Sequence, residues 1–89
     1  MTSERWKKLS CRDQLLHIGS EFERARVWEE KGDSEEVRNA LERALTLIDL
    51  SIDDPQWRER RYALWVVRGY VGEFYCGEKK GVAELYRLL

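Results

Sequence analysis

Two runs of apolar residues, each recurring at spacings of three and four, are separated by Lys31-Gly32-Asp33 and closed by Asp53-Asp54-Pro55. This combination of period and punctuation constrains the chain more than any other feature. A three-four recurrence lines one side of an α-helix, because 3.6 residues complete a turn. In the first run Cys11, Leu15, Ile18, Phe22, Ala25 and Trp28 form the stripe, against the charged neighbours Glu21, Glu23, Arg24 and Glu29. Ser10 with Asp13 opens this helix as a capping box with Asp in the usual Glu or Gln place, and Lys31-Gly32 ends it. About six turns fit between them. Asp33 or Ser34 caps the second helix, and Glu35 and Glu36 suit the positive end of its dipole. Its stripe is Val37, Ala40, Leu41, Ala44, Leu45, Ile48 and Ile52, widened by Leu47 and Leu50. Pro55 stops that helix and, after an Asp cap, suits the first position of the next.

Residues 55–76 are less clear, because 62–67 are unbroken apolar and Gly69 and Gly72 interrupt the pattern after Val67. Aromatic and β-branched residues here are compatible with strands, but the length, the Asp-Pro start and the Cys76-Gly77 stop favour a third helix. An internal Gly costs roughly 0.5–1 kcal/mol relative to Ala, so two of them imply either close approach of another backbone or a local break. After residues 77–81, Val82, Leu85, Tyr86 and Leu89 outline a short terminal helix.

Three long helices joined by very short connections run antiparallel to their neighbours. The expected fold is therefore all-α: an up-and-down bundle of three long antiparallel helices plus a short C-terminal helix. With 89 residues it forms a single domain, residues 1–89. The third helix is apolar over most of its circumference, more than a three-helix monomer covers. The short fourth helix or a second subunit must cover the rest, so a homodimer is expected.

Charge and motif content narrow the function classes. Sixteen basic and seventeen acidic residues nearly cancel, giving −1, so no sequence-wide field draws the chain to nucleic acid or anionic lipid. Cys11 and Cys76 have neither zinc-site nor paired-thiol spacing, which fits free thiols in a reducing compartment. MTSERWKKLS lacks the apolar core of a signal peptide and no stretch is long enough to span a bilayer, so a cytoplasmic location is expected. No GxGxxG, Walker A, HExxH or distinctive Ser/His/Asp pattern is present. No cofactor, metal or small-molecule substrate is indicated.

Candidate functional residues come from patterns of lower specificity. Ala25, Trp28, Gly32-Asp33, Leu41 and Ala44 match in spacing a tetratricopeptide unit, so residues 25–55 resemble one such helical hairpin. Four positions depart: Glu21 and Arg24 stand where that unit has Trp and Leu, Val37 where it has Ala, and Asp49 where it has Pro. The resemblance implies peptide or protein binding. With ERALTLIDLSIDDPQW, the same stretch is also similar to short uncharacterised bacterial proteins, which implies no chemistry. Arg12-Asp13-Gln14-Leu15-Leu16-His17 resembles the Arg, polar residue and spaced His of HEPN-type helical ribonucleases. That resemblance implies Arg12 as a phosphate-side cation and His17 as a general acid or base. Five residues turn about 140° around a helix, so the pair converges only through distortion or across a dimer. Lastly, Trp57, Arg58, Arg60, Arg61, Tyr62, Trp65 and Arg68 cluster in sequence, with Arg61, Trp65 and Arg68 one turn apart. Arg and aromatic rings together are common in interface hot spots, so Arg61, Tyr62, Trp65 and Arg68 are the candidate partner-binding residues. In the alternative, the rings enter the core and the Arg stems cover them. The sequence thus favours a protein-protein interaction or adaptor domain over an RNA-cleaving enzyme.

Overall fold

The computed structural model describes residues 2–89, and among them every regular element is helical. Helix α1 spans Ser3–Lys7, α2 Cys11–Glu30, α3 Ser34–Ile52 and α4 Arg61–Tyr75, with 3₁₀ segments at Pro55–Arg60 and Val82–Leu88. The all-α class is as the sequence predicts, and so are the caps. Ser10 Oγ accepts from the Asp13 N–H at 3.1 Å, and Asp33, rather than Ser34, accepts from that of Glu36 at 3.1 Å. Asp54 accepts from the Gln56 N–H at 3.0 Å. Gly32 reverses the chain between α2 and α3 at φ 75°, a conformation that L side chains resist.

The third predicted helix divides at Arg61. Its first turns wind as a 3₁₀ segment in which Trp57 is turned into the core, its indole N–H donating to Gln14 Oε1. From Arg61 to Tyr75 the α-helix is unbroken through both glycines, so the strand alternative does not hold. The C-terminal element is 3₁₀, not α. Its period of three stacks Val82, Leu85 and Leu88 on one side, so Tyr86 and Leu89, which an α-helical stripe would include, stay exposed.

The core runs through Ile18, Phe22 and Ala25 of α2, Leu41, Ala44 and Ile48 of α3, and Leu64, Val67 and Val71 of α4. Cys11, Leu15 and Trp28 of the α2 stripe are only half-buried. Glu21, expected among the exposed charges, is instead 5% exposed. Its carboxylate is held by Arg24 on the same helix and by Arg43 of α3 at 2.7 Å. Two guanidinium partners offset the cost of removing that carboxylate from water.

Helix α1 had no counterpart among the elements expected from sequence, yet its Trp6 is fully buried. A polar network fixes it there. The Trp6 indole donates to Ser51 Oγ at 2.9 Å, and Ser51 donates to the Leu47 carbonyl at 3.0 Å. Gln14, also fully buried, donates through Nε2 to the Trp6 carbonyl at 3.0 Å and to Asp54 Oδ2 at 2.7 Å. Gln56 donates to the Leu9 carbonyl at 2.9 Å and to Asp54 Oδ2 at 3.0 Å. One glutamine thus joins α1, α2 and the turn after α3.

Burial pushes the Asp54 carboxyl pKa up. The Gln56 backbone N–H, the Gln14 and Gln56 amides and the Lys7 charge outweigh that push, leaving it below the usual carboxylate value. A carboxylate with a lowered folded pKa contributes stability that is complete above its unfolded value, about 4, and that drains as pH falls through the folded value. Asp54→Asn is therefore expected to flatten the acid limb of the stability-pH curve below about pH 4. Denaturant melts across that range check this, and a limb as steep as in the parent would contradict the role given to Asp54.

Candidate interaction surface

Helix α4 packs Leu64, Val67, Val71 and Phe74 inward. At about 100° per residue, the direction opposite these four passes through Gly69, with Tyr62, Trp65 and Val66 on the turns before it and Gly72, Glu73 and Cys76 after it. The outward side chains are only partly covered by this chain. Tyr62 is 82% and Trp65 53% exposed, and Val66 and Tyr70 also stand in solvent. The alternative in which these rings enter the core holds for Trp57 and fails for Tyr62 and Trp65.

The two glycines deepen the feature. A Cβ built on Gly69 or Gly72 meets no atom within 4 Å. Neither a break in α4 nor close approach of the chain's own backbone accounts for them. Their helix-propensity cost, roughly 1 kcal/mol each against Ala, is not offset within the monomer.

The charges flanking this face are largely neutralised. Arg68 is paired with Asp49 at 2.6 Å and lies over the Trp65 ring at 5.8 Å from its centroid, and the Asp49 hydrogen bond holds its pKa above the usual value. Lys79 reaches Glu73 at 3.0 Å and lies over Tyr70. Arg61 is half-buried, and its Nε has no acceptor among the described residues. Of the four candidate residues, Trp65 and Arg68 are thus in contact, Tyr62 lies one turn earlier on the outer face, and Arg61 is drawn toward the protein.

No family model, curated protein or solved structure matches the chain.

Arg12 and His17 both lie exposed on α2 but turn to different neighbours. The His17 ring meets Trp6 edge-on at 5.8 Å, whereas Arg12 borders a groove between α2 and the C-terminal segment. Among the described residues no three His, Cys, Asp or Glu side chains converge, and no helix is long and apolar enough to cross a membrane.

The Arg and aromatic cluster marks only the first turns of this face, which Val66, Gly69 and Tyr70 continue. Their signal was present in the three-four spacing from Tyr62. It could be read only once the inward direction of α4 was known.

Proposed function

We propose that this chain is a protein-protein interaction domain that works as a homodimer, its two copies packed through the outer face of α4. Free Cys11 and Cys76 suit such a domain in a reducing compartment such as the cytoplasm. An up-and-down antiparallel bundle, with the tetratricopeptide-like hairpin α2–α3 at its centre, serves as the rigid scaffold in this reading.

The observation that carries it is the uncovered aromatic face surrounding a bare stretch of backbone. Tyr62, Trp65, Val66 and Tyr70 together expose on the order of 400 Å², since large rings offer about 150–250 Å² each. That is about half of the ~800 Å² that a standard interface takes from each partner. Backbone at Gly69 and Gly72 and the stems of Arg61 and Arg68 extend it. A second copy is favoured over a charged ligand because Asp49 and Glu73 already neutralise Arg68 and Lys79. It is also favoured by shape. Protruding side chains and an unfilled gap lie on the same helix, so a two-fold pair crossing antiparallel at Gly69 sets Val66 of each copy over Gly72 of the other.

Glycine substitution separates this reading from a merely exposed helix. In a monomer, Gly69→Ala should stabilise the fold by roughly 0.5–1 kcal/mol at every concentration. In the dimer, the parent melting temperature rises with chain concentration, and Gly69→Leu removes most of that dependence by blocking close approach. Calorimetry over a hundredfold concentration range checks this. A parent melting temperature independent of concentration would overturn the proposal.

A further inference from the structure

On a separate surface, α2 and the C-terminal 3₁₀ segment enclose an open groove of about 880 Å³. Gly19 permits this arrangement: a Cβ there would meet Leu89 Cδ1 at 3.3 Å and Tyr86 Cε1 at 3.8 Å, so the segment seats on bare helix. The floor is apolar. Leu15 and Leu16 line one side and Leu89 the other, and Leu16 is 62% exposed although no packing role within the chain requires it outside.

The rim is basic in a chain whose net charge is −1. Arg12 and Arg24 border the groove from α2, twelve residues or about 18 Å apart along the helix, and Arg60 borders it from the turn before α4. Arg12 and Arg60 have no carboxylate partner among the described residues. Glu21, which Arg24 meets, is shared with Arg43. The single side-chain carboxylate on the lining, Glu23, is already held by Arg26 and by the Tyr86 hydroxyl at 3.0 Å. The groove therefore presents an excess of guanidinium groups spread along its length.

We infer that this groove docks an acidic amphipathic helix of another protein, its apolar stripe on Leu15, Leu16 and Leu89 and its flanking carboxylates on Arg12, Arg24 and Arg60. The spread of charge selects this occupant. A single anionic headgroup cannot span the roughly 18 Å of helix between Arg12 and Arg24, at about 1.5 Å per residue. Carboxylates on successive turns of a helix reach all three. The length suits three to four turns, and Arg forks onto carboxylates give direction as well as attraction. Together with dimerisation through α4, two such grooves per particle make an adaptor.

The test uses the full chain and two designed peptides of about 16 residues, four turns, with Leu at three-four spacing. One carries Glu on both flanks and the other Lys. Fluorescence anisotropy is expected to show binding of the Glu peptide, with the Lys peptide at least about tenfold weaker. The paired substitution Arg12→Glu with Arg60→Glu is expected to reverse that preference while circular dichroism is unchanged. Leu16→Glu serves as a second variant that weakens both peptides. Chemical shifts are expected to move at Leu16, Gly19 and Tyr86 and to stay put along α4. Equal affinity for the two peptides, binding of neither, a preference unmoved by the charge reversal, or shifts confined to α4 would each overturn the inference. So would a change in the particle mass of the free protein on charge reversal, since the groove would then hold a second copy. None of these outcomes depends on whether α4 dimerises.

Discussion

Trp65→Glu is expected to convert the proposed dimer into a monomer without unfolding it. The Trp65 ring touches Arg68 and is otherwise half in solvent, so the monomer should lose no more than about 0.5 kcal/mol. At an interface the same change buries a carboxylate against aromatic rings, and two-fold symmetry applies it twice. Taking about 2 kcal/mol for each hot-spot position, the loss is about 4 kcal/mol, or roughly a thousandfold in dissociation constant. Light scattering on a sizing column reads this as a fall from twice the 10.6 kDa chain mass to the single value at micromolar concentration. Identical masses for parent and variant would remove α4 from the interface.

Gln14→Leu is expected to be the most destabilising conservative change in the chain. Leucine has nearly the volume of glutamine, so little cavity opens and the effect isolates the hydrogen bonds. The change strips the Trp57 indole of its acceptor, and Asp54 and the Trp6 carbonyl of a donor, at a fully buried position. A bond to a charged group is worth about 1.5–3 kcal/mol and the Trp57 bond about 1, while the Trp6 carbonyl keeps the Leu9 N–H, so the expected loss is about 3 kcal/mol. For a domain of this size that lowers the melting temperature by roughly 12–24 °C. Ser51→Ala leaves one indole N–H unpaired and should cost about 1 kcal/mol. Equal losses for the two variants would show that the network does not converge on Gln14.

The local features of the fold were legible because their physics is local. Ser10, Asp33 and Asp54 cap helices within three residues of themselves, and the α3 stripe from Ala40 to Ile52 needs only a period and one covering partner. Features that depend on distant residues were not. Trp6 lies in a charged decapeptide, and its burial rests on Ser51, forty-five positions away. A hint was present in α3, where Ser51 is a small polar residue inside a run of Leu and Ile. Glu21 looked like a solvent charge because Arg43, which shares it, sits on another helix. The 3₁₀ winding at both ends of the α4 region changed which aromatic rings were buried, drawing Trp57 in and leaving Tyr86 out.

The candidate interaction surface was half legible. Apolar residues all round α4 signalled more surface than one chain covers, and the Arg and aromatic cluster marked its first turns. Which arc remained uncovered depended on where α3 lay against α4. The significance of Gly69 rests on an absence of neighbours that no sequence displays. Arg12, singled out for a resemblance to a catalytic motif, lies instead on the rim of a groove whose far wall comes from residues 86–89.

An isotope-filtered nuclear Overhauser experiment on an equimolar mixture of labelled and unlabelled chains tests pairing through α4 most directly. The Val66 methyl protons and the Tyr62 and Trp65 ring protons of one copy should give cross-peaks to the α-protons of Gly69 and Gly72 of the other. Intermolecular cross-peaks confined to other elements, or none at concentrations where the parent sediments as a dimer, would contradict it.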